Sequence, residues 1–431
     1  MEISLIALAI LLLLAFLGLP LGFGMILVGV GGFAITRNLQ GALAMSTQQI
    51  VDLSTNFEFT VLPLFILMGA FVHRANLSQE LYDAANSWFG HRRGGLAKAT
   101  VVACGGFATI SGSSLATAAT MTKVAMPPMR RYGYDDRLAT GTIAAGGTLG
   151  ILIPPSVPMV IYGILTETDI GKLFIAGIVP GVLMILLYNT SINAVTWFRP
   201  EWGPRAPRVP LRERWPYLAR VWGVLALFVL VIGGIYGGIF TPTEAAAIGA
   251  FGGMMFVLWR RQLTWRTLID SLVEAGSTTG IIFTVGFGAL ILSNFITIAG
   301  LPRDLVQLIN AAQLSPTGVI LLICLIYIVL GCLLDSLAMI LLTVPVFFPI
   351  VVSLGLDPVW FGIIVIIVVE IGLITPPIGL NVFVVKSMVE DVSLGQIFQG
   401  IAPFFFASLV GLLLIVYFPI IALWLPNLMM R

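Results

Sequence analysis

The residues of this chain that are able to do chemistry come in pairs. Gly150-Ile151-Leu152-Ile153-Pro154-Pro155 has a partner in Gly372-Leu373-Ile374-Thr375-Pro376-Pro377, and Pro154 and Pro376 stand 222 positions apart. A proline has no N–H to give to the carbonyl four residues back. Within a helix, Pro154 therefore frees the carbonyl of Gly150, and Pro155 frees that of Ile151. Pro376 and Pro377 do the same for Gly372 and Leu373. Gly146-Gly147-Thr148 loosens the first stretch further. Unpaired carbonyls are costly in lipid unless they are buried in protein or used. A cation such as Na+ is a natural user. One such motif reads equally well as a kink packed by glycine. Two at matched positions read as broken-helix ion sites.

A second pair lies upstream of the breaks. Ser111-Gly112-Ser113-Ser114 and Leu334-Asp335-Ser336 each interrupt an apolar run. Small hydroxyl residues cap the helix that follows, and the preceding helix leaves its last carbonyls open. Such a tip offers N–H groups to an anion and carbonyls to a cation. Asp335 would be a carboxylate near mid-membrane, where an ionisable residue marks function by default. It also reads as the N-cap of the next helix, and both roles can hold at once. Glu370, five residues before Thr375, either lines the same cavity or is a buried structural acid.

Other polar features have structural readings. Thr241-Pro242-Thr243-Glu244 has the N-cap, N1 and N3 chemistry of a capping box. Glu58 is most simply a helix N-terminal acid. His73 and His91 lie in basic segments and are assigned neither as ligands nor as proton relays. Cys104, Cys324 and Cys332 sit in apolar runs without metal-ligand spacing, as small core side chains. No GxxxxGK[ST], HExxH or paired-carboxylate pattern is present, which argues against ATP hydrolysis and other enzymatic chemistry. No basic stretch interleaved with aromatics suggests nucleic acid.

The elements that hold these motifs are membrane helices. The chain has 431 residues, 58% hydrophobic and 10% charged, against about 25% charged in soluble domains. Its mean hydropathy is +1.04. Apolar runs of about 20 residues recur along it. The apolar N-terminus, Ile3 to Leu19, lacks a basic region ahead of it and reads as a retained helix rather than a signal peptide.

The offset of 222 extends beyond the two breaks. Pro20 maps to Pro242, Ser114-Leu115-Ala116 to Ser336-Leu337-Ala338, Pro127 to Pro349, Gly133 to Gly355, Asp135 to Asp357 and Asp169 to Asp391. The first repeat is expected over 1–198 and the second over 221–431, with a Pro- and Arg-rich cytoplasmic linker at 199–220. Each half reads as five spans plus one hairpin, about ten spans in all. The hairpins fall at 95–129 and 316–352, and the broken helices at 138–165 and 359–387. Segments 76–90 and 302–313 are less apolar and suit the interface. The hairpin arms, roughly 15–19 residues, reach about 22–28 Å and suit re-entrant hairpins.

Charge fixes an orientation. With the basic segments and Lys386 placed in the cytoplasm, Arg37, Lys172, Arg303 and Arg431 are the external Lys and Arg. The positive-inside rule favours this arrangement. Both termini then lie outside, the hairpins enter from opposite faces, and the second half is inverted. Inverted repeats are characteristic of secondary transporters.

With these residues in hand, the chain resembles the large membrane subunit of a tripartite ATP-independent periplasmic (TRAP) transporter. Ser111-Gly112-Ser113-Ser114 with Ala116-Thr117, Gly150 through Ser156, Thr241 through Ala247, and the Asp335 hairpin leading to Thr375-Pro376-Pro377 carry the resemblance, which covers essentially the full length. The resemblance implies Na+-coupled uptake of an organic acid across the bacterial inner membrane. It implies a periplasmic substrate-binding protein and a small four-helix membrane subunit as partners. It also implies an elevator motion of the hairpins and broken helices against a scaffold. No cofactor is expected besides Na+ as the coupling ion, and lipid is the surrounding partner.

The expected sites follow. One Na+ lies among Ser111, Gly112, Ser113, Ser114, Gly147, Gly150 and Pro154. A second lies among Asp335, Ser336, Gly372, Thr375 and Pro376. A carboxylate-bearing or other anionic substrate lies between the tips, near Ser113, Thr148, Thr375 and Asn381. The rival readings are a stand-alone Na+/dicarboxylate symporter of related hairpin design and a non-transporting membrane assembly subunit.

Overall fold

Proline, glycine and capping side chains set the helix ends in the computed structural model, which describes residues 2–75 and 77–429. Arg431, one of the expected external charges, lies outside the described residues. The first half contains α1 (Glu2–Phe16), α2 (Leu21–Thr36), α3 (Leu39–Thr55), α4 (Val61–Arg74), α5 (Leu77–Phe89), α6 (Gly95–Ser111), α7 (Ser114–Arg131), α8 (Asp136–Leu152), α9 (Val157–Thr166) and α10 (Ile170–Phe198). A linker helix, α11 (Leu211–Arg220), follows. The second half contains α12 (Trp222–Tyr236), α13 (Pro242–Trp259), α14 (Trp265–Ile298), α15 (Leu301–Ala311), α16 (Pro316–Gly331), α17 (Ser336–Ser353), α18 (Pro358–Leu373), α19 (Leu380–Met388), α20 (Leu394–Tyr417) and α21 (Ile420–Met429). The chain is an all-α integral membrane protein.

Among the described residues, six helical stretches are long and apolar enough to cross a membrane by length and composition, or seven with the bent pair α11–α12. The sequence pattern suggests about ten spans. The difference lies mainly in helix length, since the expected spans α1, α2, α12 and α18 have 15 or 16 residues, short of the roughly 20 that span a bilayer upright.

The order of elements recurs between the halves at the sequence offset. The packing also exchanges partners as a two-fold relation requires. Helix α2 packs on α14 while its counterpart α13 packs on α4, and α9 packs on α17 while α19 packs on α7. The halves differ at the end of α3. Asn56 accepts a hydrogen bond from the Glu58 N–H at 2.9 Å and ends α3, whereas α14 runs unbroken for 34 residues through the matching position. Helix α3 itself falls in a segment that the apolar pattern leaves as an external loop.

Helices α8 and α18 form the centre. Every residue from Leu138 to Leu152 and from Val359 to Leu373 is buried. A helix apolar on all sides has to be enclosed in this way. Around the pair pack the hairpins α6–α7 and α16–α17, the short helices α9 and α19, and the long helices α10 and α20. Helices α2, α4, α13 and α14 form a separate packed group that meets the hairpins through α4–α6 and α14–α17 contacts.

Candidate functional site

Each break is built from the residues that interrupt its helix. Helix α8 ends at Leu152, and the Pro154–Pro155 bond is cis, as is Pro376–Pro377. Ser156 caps α9, and its hydroxyl donates to the Ile151 carbonyl at 2.5 Å. One carbonyl that proline frees is therefore satisfied within the chain. In the second half the last turn of α18 tightens. The Thr375 N–H reaches the Gly372 carbonyl at 3.1 Å, and the Thr375 hydroxyl donates to the Ile371 carbonyl at 2.5 Å. The Gly372 carbonyl, expected free, thus has a backbone partner, because the chain closes a tighter three-residue turn in place of the bond that proline removes.

The first hairpin tip lies against the first break. Gly112 takes a left-handed conformation, φ 56°, that a glycine adopts without strain. A Cβ there would stand 3.3 Å from the Pro155 carbonyl oxygen. Ser113 caps α7, and the Thr117 hydroxyl donates to the Ser113 carbonyl at 2.7 Å while lying 2.7 Å from the Ser111 hydroxyl. Gly150 sits beneath this group, and Gly147 abuts Ala118. The tip residues Ser111, Gly112 and Ser113 thus lie against the break at Gly150 and Pro155, with oxygens of Ser111, Ser113, Thr117 and Pro155 close by, while Gly147 packs one turn earlier on α8. Thr117 adds a donor that its spacing alone does not single out.

The second tip is held differently. Asp335 caps α17, accepting from the Leu337 N–H at 3.3 Å. Gly331 at the end of α16 meets Gly372 backbone to backbone, with a Gly372 Cβ placed 2.6 Å from the Gly331 Cα. Thr375 and Pro376 follow directly beyond α18.

Both tips open onto one cavity of about 430 Å³. Ser111 through Ala116 line one wall and Asp335, Ser336 and Leu337 another. The rest of the lining comes from α4 and α14, including His73 and Glu274, and from Phe107, Ile151, Val157 and Pro158 beside the first break. Lys123, three turns along α7 from the tip, stands in the same lining. His73 Nδ1 lies 3.2 Å from the Thr120 hydroxyl, joining α4 to α7. Arg74 pairs with Glu274 at 3.0 Å, joining α4 to α14. The sequence offers no local signal for this charged end, because its residues come from three distant helices.

Of the four expected substrate contacts, Ser113 lines the cavity, while Thr148, Thr375 and Asn381 lie outside its lining. Thr148 is buried, donating to the Ala145 carbonyl at 2.7 Å and lying 3.1 Å from the Tyr188 hydroxyl. Tyr188 continues to Ser408 at 2.9 Å. Asn381 is buried too, and its Nδ2 donates to the Ala144 carbonyl at 3.2 Å. These side chains tie α8 to α10, α19 and α20. Glu370 is 1% exposed and stands outside the cavity lining. Among the described residues no cluster of His, Cys, Asp or Glu suits a metal centre.

The profile of the family described as "Tripartite ATP-independent periplasmic transporter, DctM component" matches residues 8–421. The chain belongs to this family. It is 40% identical over 382 residues to the C4-dicarboxylate TRAP transporter large permease protein DctM of Pseudomonas aeruginosa, covering 88% of each chain. It is 33% identical over 418 residues to the sialic acid TRAP transporter large permease protein SiaM of Vibrio cholerae, covering 96% of each. The ectoine TRAP transporter large permease protein TeaC of Halomonas elongata is 32% identical over 423 residues, covering 97% of each. Among solved structures, the YdaH transporter of Alcanivorax borkumensis superposes with a TM-score of 0.64 at 16% identity over 89% of each chain, a likeness of fold. The protein is thus a TRAP transporter large permease, a multi-pass membrane protein and not an enzyme.

Proposed function

We propose that this permease imports a small organic anion coupled to Na+, in the bacterial inner membrane with both termini periplasmic. The observation that carries the reading is the shared cavity. Two capped helix N-termini, at Ser113 and Asp335, open onto one space. Helix N-termini favour an anion there. The oxygens gathered behind the first tip and the Asp335 carboxylate at the second suit cations. Relatives named for C4-dicarboxylate and sialic acid support a carboxylate cargo. A periplasmic binding protein would deliver it, and a small four-helix subunit would extend the group formed by α2, α4, α13 and α14. The two tips, the breaks and α8–α18 would move as one body against that group. The contacts broken in that motion include His73–Thr120 at 3.2 Å.

The test is uptake in proteoliposomes holding the permease, its membrane partner and the binding protein. Uptake of the bound anion should follow an imposed Na+ gradient and drop sharply in Asp335→Ala. Uptake indifferent to Na+ would overturn the coupling. Equal uptake without the binding protein would favour a stand-alone symporter.

A further inference from the structure

A second cavity, of about 580 Å³, opens away from the hairpin tips. The turn before α6, the end of α10 and the linker enclose it. Its lining includes His91, Arg92, Arg93, Lys98, Trp197 and Arg205, and among the described residues no Asp or Glu. Four cations thus face one space with no carboxylate in the wall to neutralise them.

Lys98 is the telling residue. It is 8% exposed, yet among the described residues no ion pair or hydrogen bond engages its ammonium. Its side chain is largely enclosed, while the ammonium keeps access to the cavity, where no counter-charge meets it. Burial, then the positive field of Arg214, Arg208, Arg92 and Arg205, holds the His91 imidazole below its ordinary pKa. The cavity therefore carries an uncompensated positive potential.

The walls are fixed. The Gly94 N–H donates to the Gly203 carbonyl at 2.9 Å, and the Ala206 N–H donates to the Gly90 carbonyl at 3.0 Å. These two bonds strap the linker to the turn. Trp202 anchors the strap, with the Arg199 guanidinium 4.7 Å and the Arg137 guanidinium 5.5 Å from its ring centre. Gly94, at φ 63°, approaches α10 so closely that a Cβ would stand 2.6 Å from Ile192.

The position favours a lipid. Helix α10 is a 29-residue apolar helix, and its last residues, Trp197 and Phe198, are 81% and 82% exposed. Aromatic side chains of that kind sit at the headgroup level of a bilayer. Basic pockets beside membrane helices on the cytoplasmic side recognise anionic headgroups. We propose that this cavity binds the phosphate of an anionic phospholipid headgroup from the cytoplasmic leaflet. The bound phosphate supplies the counter-charge for Lys98 and fastens the base of the first hairpin to the end of α10.

The experiment compares the permease with its membrane partner in nanodiscs of phosphatidylcholine alone and of phosphatidylcholine with phosphatidylglycerol. Phosphatidylglycerol should raise the Tm and should be retained in native mass spectrometry. The exposed pair Arg92→Gln with Arg205→Gln, and separately Lys98→Gln, should lose both effects. A gain that persists in the exposed double variant overturns the proposal even where Lys98→Gln misfolds, and so does the lack of any gain in the native protein. Inorganic phosphate added to phosphatidylcholine nanodiscs should leave the Tm unchanged. An equal gain from inorganic phosphate would make the ligand a soluble anion and overturn the lipid assignment.

Discussion

Gly150 lies directly under Ser113, so closely that a Cβ on Gly150 would stand 2.6 Å from the Ser113 carbonyl oxygen and 2.8 Å from the Thr117 hydroxyl. The obstacle is partly backbone and cannot swing aside. Gly150→Ala must therefore push the first hairpin tip off the first break. Overpacking of this kind costs about 1–3 kcal/mol. Na+-dependent uptake should fall further than the Tm does, because the displaced group is the proposed ion junction. Gly276→Ala is the control, since nothing stands within 4 Å of its Cβ. Uptake by Gly150→Ala equal to that of Gly276→Ala would dissociate the contact from transport.

Ser156 holds two groups at once. Its hydroxyl donates to the Ile151 carbonyl at 2.5 Å and accepts from the Met159 N–H at 3.4 Å. The site is buried, so no water replaces it. Ser156→Ala leaves a buried carbonyl unpaired, at about 1–3 kcal/mol. Ser156→Thr retains the hydroxyl and should lose less. Thermal unfolding in one detergent ranks the three proteins, and an alanine variant as stable as the native protein would refute the assignment.

The sequence makes the hairpin tips and breaks legible because proline, glycine and small capping residues mark them directly. Pro154-Pro155 and Pro376-Pro377 stand where α8 and α18 stop, and Thr241 forms the capping box with Glu244. Helix α3 is not legible in this way. Gln48, Gln49 and Asp52 interrupt its apolar pattern, and a few inward residues such as Ala42 and Leu53 pack it. Thr148 and Asn381 are illegible for the opposite reason. A polar residue in an apolar run suggests a ligand, but their partners, Tyr188 and the Ala144 carbonyl, are 40 and 237 positions away. The cavity's charged wall of His73, Lys123 and Glu274 joins α4, α7 and α14 and exists only once the chain is folded.

Arg130 predicts a pH response. Its guanidinium takes both oxygens of Asp136, at 2.9 and 3.0 Å, and reaches Asp391 at 2.7 Å. It thereby ties the end of α7 to the turn before α20. The hydrogen bond from Arg130 holds the Asp391 carboxyl below its ordinary pKa. A depressed folded-state value stabilises the protein above the unfolded carboxylate pKa, and that stability is lost as pH falls through the folded value. The Tm gap between native protein and Asp391→Asn should therefore stay constant from about pH 8 down to about pH 5. It should close only below about pH 4, the ordinary range of aspartate. Because Asp391 is exposed, salt should narrow the gap. A gap that closes between pH 5 and 8 would exclude this pair as its source.

Glu370 makes the last prediction. It stands 222 positions after Thr148, so the two hold matching places on α18 and α8. Both carboxyl oxygens are buried without a side-chain partner among the described residues, and the Leu152 backbone at the end of α8 is the polar group that approaches them. Tyr188, whose hydroxyl lies 3.1 Å from that of Thr148, is an ionisable neighbour. Among the described residues no Lys, Arg or His acts on it. An isolated ionised carboxylate in such a place costs far more than a neutral group of the same shape. Glu370→Gln preserves the shape and should match or exceed the native Tm. Glu370→Ala opens a void in a fully packed helix pair and should cost about 2–5 kcal/mol. If Glu370 only fills the core, uptake should survive in Glu370→Gln at every Na+ concentration. Should the glutamine variant keep its Tm but lose Na+-dependent uptake, the carboxylate would belong to the transport cycle and not to the packing of α8 on α18.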